Sequence, residues 1–231
     1  MSGGGGFEEL CGLEPRRPLR RGPDRVTFLW RPRGGEVVVV KRSRGRGGRR
    51  EYENLRRLGA AGLAVPQARA AYSGSGRSLV VMERVPHAET LAEGLARADA
   101  GEQSRLMGEL LDLVVALHDL GWSHRDLYLE HFLLREGDGR LVLIDLGRAR
   151  RRWRRRWFEK DLAALFHSVP ECVPQTLCLR FLAAYLDARG VRGRRRRRRW
   201  LAAVVTRQRR MAARQPRGGQ SFDDGAVEEG P

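Results

Sequence analysis

Several features that would narrow the class of this protein are scarce or missing in its sequence. No apolar run approaches the roughly 20 residues that a bilayer-spanning helix requires, and the opening Met-Ser-Gly-Gly-Gly-Gly lacks the basic-then-apolar pattern of a signal peptide. Cys11, Cys172 and Cys178 have no metal-ligand spacing, so reduced thiols are expected. These absences predict a cytoplasmic protein that at most associates peripherally with a membrane surface.

Acidic residues are few relative to basic ones. The chain has 45 lysines and arginines against 28 acids, a net charge of +17. Such an excess favours an anionic partner, which includes phosphates, an acidic membrane surface and nucleic acid. A hydrophobic fraction of 41% in 231 residues supports one packed domain or two small lobes that share a cleft.

The pattern along the chain changes from strands to helices. Alternating and apolar runs predict strands at 25–30, 36–41 and 78–82, a helix at 50–58, a long helix through 106–117, a hairpin at 132–144, and helices at 159–168, 175–188 and 198–213. The sequence therefore predicts an α+β protein. Its parts are a flexible segment 1–24, a small β-rich N-lobe 25–86, a larger helical C-lobe 87–214 and a disordered tail 215–231.

Four chemistry-bearing features follow one another in a fixed order. Lys41 ends a strand, Glu51 opens a helix, His124-Arg125-Asp126 follows the long helix, and Asp145-Leu-Gly follows the hairpin. This order is typical of protein-kinase-like phosphotransferases, in which catalysis is mostly positioning and charge neutralisation. We therefore expect a bilobal protein-kinase-like fold.

Lys41 and a helix carboxylate are the candidates for holding the nucleotide phosphates. Four valines precede Lys41, so its stem would enter a core while its ammonium reaches a polar cleft. Glu51 is preferred over Glu53 as its partner, because Leu55 and Leu58 lie on the same helix face as Glu51. An edge-strand lysine with a solvated head is the alternative.

Asp126 and Asp145 are the candidates for the reaction itself. Asp126 would orient the acceptor hydroxyl and take its proton, and His124 would hold the loop rather than react. Asp145 would coordinate magnesium, although a turn aspartate is the alternative. His131 stands where ordinary protein kinases have asparagine, and imidazole suits softer ions than magnesium. Acceptance of manganese, a direct bond to phosphate and a plain core histidine all remain open for it.

Two further segments are weaker signals. The connector at Met82, Glu83 and Val85 is typical of an adenine-binding hinge. Asp161 is expected to accept backbone hydrogen bonds from the catalytic loop, with a helix N-terminal carboxylate as the alternative. No Gly-x-Gly-x-x-Gly precedes Lys41. A phosphate clamp formed by the Pro/Arg/Gly segment near 15–25 and a start that is truncated relative to such kinases are equal explanations.

Two arginine-rich runs carry much of the excess charge, at 148–156 and at 192–199. Because the first run follows Asp145-Leu-Gly, we expect Arg148, Arg150 and Arg151 to bind an anionic acceptor, since guanidinium forks bind phosphate and carboxylate bidentately. For Arg125, beside Asp126, a structural role and a contact with substrate phosphate both remain open. The second run would dock anionic lipid. Solvated faces are the equal alternative for both runs.

The run His-Arg-Asp-Leu-Tyr-Leu-Glu-His-Phe-Leu-Leu, then Leu-Ile-Asp-Leu-Gly-Arg-Ala-Arg, then Phe-Glu-Lys-Asp-Leu-Ala-Ala-Leu, resembles the lipopolysaccharide kinase family. The family phosphorylates heptose or Kdo sugars of the inner core and also has histidine at the position of His131. The resemblance implies ATP as donor, Asp126 as catalytic acid-base and Asp145 as metal ligand.

The predicted function is therefore an ATP-dependent sugar kinase that acts on an anionic glycolipid or glycan, in the cytoplasm or peripheral on the inner face of the inner membrane. An atypical serine/threonine protein kinase and a pseudokinase that binds anionic partners are the alternatives. Nucleic acid is a disfavoured partner, and the sequence does not indicate an oligomeric state.

Overall fold

The computed structural model describes residues 10–214 and 227–229. The chain forms two compact units. The first contains the described residues up to Ala61, the segment Val65–Val85 and the strand at 227–229; the second contains Gly62–Ala64 and the described residues from Pro86 onward. All three cysteines are free thiols, as the sequence predicted.

The first unit is built on one sheet. Its strands are β1 (Arg20–Gly22), β2 (Arg25–Arg31), β3 (Val38–Arg44), β4 (Ala68–Gly74) and β5 (Arg77–Glu83), in the order β1-β2-β3-β5-β4 with antiparallel neighbours. Side chains alternate across each strand, and apolar residues of β2, β3 and β5 face a shared core together with Leu10, which precedes β1. The buried members are Leu10, Val26, Phe28, Trp30, Val40, Leu79 and Val81.

Helix α1 (Gly47–Ala60) packs against this sheet. The buried residues Glu51, Leu55 and Leu58 follow the i, i+4, i+7 spacing of one helix face. A side chain at Gly48 would meet the Leu79 backbone at 2.7 Å, so glycine is required for the helix to approach β5 this closely.

The second unit is mainly helical. Its helices are α2 (Leu91–Arg97), α3 (Ala100–Asp119), α4 (Arg155–His167), α5 (Gln175–Ala188) and α6 (Arg194–Arg214), and its strands are β6 (His87–Thr90), β7 (Trp122–Ser123), β8 (Phe132–Arg135), β9 (Leu141–Leu143) and β10 (Arg150–Arg151). Capping residues begin the first two helices: Thr90 and Glu93 form a capping box for α2, and Asp99 accepts a hydrogen bond from the Glu102 backbone at α3.

The predicted α+β class is confirmed, with a strand-rich part followed by a helical part in the order of a protein-kinase-like fold. The hairpin is also confirmed, since β8 and β9 pair antiparallel from Phe132 opposite Leu143. The units divide between Val85 and Pro86. Of the helices that the structure describes, none combines the length and apolar character of a membrane-spanning segment.

Both chain ends differ from expectation. The segment 1–24 was expected to lack regular structure, yet Arg20–Gly22 forms strand β1; residues 1–9 lie outside the described part. The tail 215–231 was expected to be disordered, yet β11 (Val227–Glu229) pairs with β2 in parallel; residues 215–226 and 230–231 lie outside the described part of the chain. Both segments gain order by completing hydrogen bonds along β2, a long-range effect that local composition does not reveal.

Candidate active site

Lys41 and Glu51 form an ion pair in the first unit. Their side chains are 11% and 1% exposed, and Lys41 Nζ lies 2.6 Å from Glu51 Oε1. Val40 is fully buried on the opposite face of β3, so strand alternation turns Lys41 towards the helix side. Glu53, the rejected alternative, instead pairs with Arg49 at 3.3 Å on a more exposed part of the helix.

A second cation on Glu51 was not predicted. Arg25 Nη2 lies 2.8 Å from Glu51 Oε2, so each carboxylate oxygen has its own basic partner. A buried carboxylate is costly unless it is paired and hydrogen-bonded, and here it has both partners. Nothing in the local sequence marks Arg25, because its position at the start of β2 gains meaning only when β2 pairs with β3.

The proposed adenine connector lies at the end of the same sheet. Met82 and Val85 are buried at 3% and 6% exposure. The Glu83 backbone N–H donates to the Gln67 carbonyl at 2.9 Å, and the Glu83 side chain accepts from the Gln67 N–H at 2.9 Å. The amide of Glu83 is therefore committed within the sheet.

In the second unit, hydrogen bonds to the Asp161 carboxylate hold the loop that carries Asp126. The Asp161 carboxylate accepts hydrogen bonds from the backbone N–H groups of His124 and Arg125, both at 2.8 Å. The prediction for Asp161 is confirmed. These bonds stabilise a strained loop, since Arg125 has a positive φ of 77°.

Asp161 is also hydrogen-bonded to His118, and His118 to Tyr185, a buried pair of polar side chains that was not predicted from the sequence. His118 Nε2 donates to Asp161 at 3.4 Å, and Tyr185 lies 2.8 Å from His118 Nδ1. Burial lowers the pKa of His118 and so favours the neutral imidazole, and because Nε2 donates to Asp161, Nδ1 accepts a hydrogen bond from the Tyr185 hydroxyl. Burial alone would raise the pKa of Asp161, but the hydrogen bonds that its carboxylate accepts, first of all the one from His118, hold it below the ordinary value.

Histidine contacts join the loop of Asp126 to the turn of Asp145. His124 Nε2 donates to the Ile144 carbonyl at 3.0 Å, and His131 Nδ1 donates to the Asp126 carbonyl at 2.8 Å. Asp145 follows with a left-handed backbone, φ 59° and ψ 53°. His124 thus holds the loop, as expected, and the two aspartates sit on tied segments.

The pair of His131 and Asp145 fits a divalent ion. Because Nδ1 of His131 is the donor, its Nε2 is directed at Asp145 Oδ2, 3.7 Å away. Two ligands at about 2.1 Å from one ion are at most about 4.2 Å apart, so this spacing permits a shared ion. In the described part of the chain no group of three such ligands occurs.

The four arginines considered for acceptor binding have different surroundings. Arg148 Nη1 lies 2.8 Å from Asp126 Oδ2. The Arg125 guanidinium lies 5.8 Å from the Trp157 ring centroid, and its Nε is buried without a hydrogen-bond partner. Arg150 donates to the Ala149 carbonyl at 2.7 Å, and Arg151 lies 5.4 Å from the exposed Trp153 ring.

Comparisons with known proteins agree with the family resemblance of the motifs that contain Asp126, Asp145 and Asp161. Residues 40–185 match the model of the lipopolysaccharide kinase (Kdo/WaaP) family. The chain is 35% identical over 202 residues to lipopolysaccharide core heptose(I) kinase WaaP of Pseudomonas aeruginosa, covering 75% of this chain and 74% of that protein. It is 39% identical over 71 residues to the Escherichia coli protein of the same name, covering 27% of each.

Among solved structures, the chain is similar to the kinase PK-1 of Cydia pomonella granulovirus, with 20% identity and a TM-score of 0.49 over 62% of this chain and 54% of that one. The family match includes Lys41, Glu51, Asp126, Asp145 and Asp161. The chain belongs to the lipopolysaccharide kinase (Kdo/WaaP) family.

Proposed function

We propose that this protein transfers the γ-phosphoryl group of ATP to a hydroxyl of a lipopolysaccharide inner-core sugar, heptose or Kdo, or of a similar glycan. Family membership makes the chain a phosphotransferase with an alcohol group as acceptor. The observation that carries the proposal is the linkage of Asp126 to the His131 and Asp145 pair through the His131 hydrogen bond.

Asp126 would act on the acceptor. Its side chain is 22% exposed, so a hydroxyl can reach it, while its backbone is fixed by His131 and the preceding loop by Asp161. It would accept the hydroxyl proton as the sugar oxygen bonds to phosphorus. A divalent ion at His131 and Asp145 would neutralise charge on the phosphate oxygens.

The first unit would bind the nucleotide. The Lys41 ammonium, held by Glu51, would contact the α- and β-phosphates. Met82 would flank the base. Since the Glu83 amide is committed to Gln67, we expect its carbonyl oxygen and the backbone of Val85 to meet adenine.

The segment after Asp145 favours a glycan over a peptide. β10 ends at Arg151, and α4 begins at Arg155. This leaves little chain for a peptide-docking platform. The exposed arginines of the segment between Asp145 and α4 offer guanidinium groups for acidic sugars, and Trp153 offers an aromatic face for a sugar ring.

A peripheral position on the inner face of the inner membrane is part of the proposal. Arg194, Arg195 and Arg198 are exposed on α6, and no ion pair to them occurs among the described residues. Such a helix would be drawn to anionic headgroups with about 1 kcal/mol per basic residue.

The test is transfer of radiolabelled phosphate from ATP to purified core glycolipid, with a protein mixture as competing acceptor. Label should appear in glycolipid and depend on a divalent ion. Asp126→Asn and Asp145→Asn should lower transfer by several orders of magnitude, while Glu53→Gln should behave like wild type. Label in protein alone would favour an atypical protein kinase, and no turnover with either acceptor would favour a pseudokinase.

A further inference from the structure

Arg148 touches the candidate catalytic carboxylate directly. Its Nη1 lies 2.8 Å from Oδ2 of Asp126 and 3.0 Å from Oδ1, so one terminal nitrogen straddles both oxygens. The contact depends on the turn after Asp145. The left-handed backbone there begins a 3₁₀ turn, Leu146–Arg148, in which Leu146 is fully buried and Arg148 faces Asp126.

The remainder of the Arg148 guanidinium is directed outward. A guanidinium has five N–H donors, and Asp126 engages one nitrogen. The Arg148 side chain is 61% exposed, and within residues 10–214 and 227–229 no other acceptor binds it. No second basic side chain pairs with Asp126 in that part of the chain. Arg148 is therefore the cation beside the point of proton transfer.

We propose that Arg148 is a catalytic residue: it keeps one nitrogen on Asp126 and donates its others to the oxygens of the phosphoryl group in transfer. This inference rests on the proposed function. The sugar oxygen bonds to phosphorus, the bond from phosphorus to the ADP oxygen breaks with its electron pair, and the hydroxyl proton moves to Asp126. Arg148 stays protonated throughout, because its guanidinium does not titrate in proteins.

The charge balance favours this role over simple positioning. When Asp126 takes the proton, its attraction for Arg148 falls, while negative charge on the transferring group remains close. The interaction of Arg148 is therefore stronger with the transition state than with the resting site, which is the condition for acceleration. An arginine on the base lowers its basicity, but phosphoryl transfer with a loose transition state depends little on a strong base.

The alternative role for Arg148 is inhibitory. If Arg148 merely blocked Asp126, removing it would free the carboxylate and raise turnover. The two roles therefore predict changes of opposite sign in kcat for the same variant.

The experiment is steady-state kinetics of the full chain on core glycolipid. Arg148→Ala should lower kcat on the order of 10²- to 10³-fold, with KM for ATP and acceptor changed only a few fold. Arg148→Lys should retain part of the rate. Added guanidinium should restore part of the kcat of Arg148→Ala, which a structural role would not allow. Arg180→Ala removes an exposed arginine of α5, outside both arginine-rich runs, and should match wild type.

A wild-type kcat in Arg148→Ala, an increased kcat, or no rescue by guanidinium would overturn the role. Melting temperatures of all variants exclude misfolding, and Arg148→Lys keeps the test valid if the alanine variant is unstable. Wild-type protein without transfer activity would instead refute the proposed function and remove the basis of this inference.

Discussion

Replacing Asp161 with alanine removes the support of the catalytic loop. In the intact protein its buried carboxylate accepts from the backbone N–H groups of His124 and Arg125 at 2.8 Å and from His118 at 3.4 Å. Alanine leaves these donors without a partner in a place where Asp161 itself is fully buried. We therefore expect loss of both stability and turnover.

The magnitude follows from the donors that are left unpaired. Each buried donor without a partner costs about 1–3 kcal/mol, so the two backbone amides together account for about 2–6 kcal/mol. Removing a buried charge recovers some desolvation energy, which places the expected loss near 3–5 kcal/mol, typical of a broken buried pair. Asp161→Asn keeps one oxygen acceptor and should lose less.

Urea denaturation measures the free energy of unfolding, and amide hydrogen exchange reports on His124 and Arg125 individually. Both amides should exchange faster in Asp161→Ala than in Asp161→Asn. Because the folded pKa of Asp161 is below its ordinary value of 3.8, its contribution is present above that pH and is lost as the pH falls further. An alanine variant with unchanged urea midpoint and unchanged exchange would refute this reasoning.

Three further substitutions test separate parts of the site. Lys41→Met leaves Glu51 paired with Arg25, so melting should change little while kcat falls at least about 10²-fold; collapse of the fold would contradict the double pairing. Burial lowers the pKa of His118, so as the pH falls below 6.5 the unfolded chain takes up the proton first and the folded state is destabilised. His118→Phe should therefore make the free energy of unfolding depend less on pH in this range, and the same dependence in variant and wild type would contradict the assignment. His131→Asn replaces imidazole by an amide oxygen and should raise activity with Mg²⁺ relative to Mn²⁺; an unaltered ratio would argue against ligation.

The periodicity of apolar residues was sufficient to predict burial and pairing where these depend on residues close together in the sequence. Leu55 and Leu58 share a helix face with Glu51, and the structure buries all three together. Likewise the Leu-Leu and Leu-Val-Leu runs around a Gly-Asp-Gly turn predicted the β8 and β9 hairpin. In these cases neighbours in sequence are neighbours in the fold.

Residues that depend on distant pairing could not be predicted in this way. Arg25 reaches Glu51 only because β2 and β3 pair in one register, and Arg148 reaches Asp126 only because two loops are tied by histidine hydrogen bonds. Tyr185 lies on a helix far along the chain and carries no signal of its contact with His118. The final strand, Val227–Glu229, is too short for any periodic pattern.

The central claim is that this chain phosphorylates a core sugar through Asp126. The most direct measurement is mass spectrometry of core glycans from cells that lack the gene, complemented with the wild-type chain or with Asp126→Ala. We predict that the wild-type chain restores one phosphate to the core and that Asp126→Ala does not. Core glycans of identical mass in all three strains, or equal restoration by Asp126→Ala, would contradict the account.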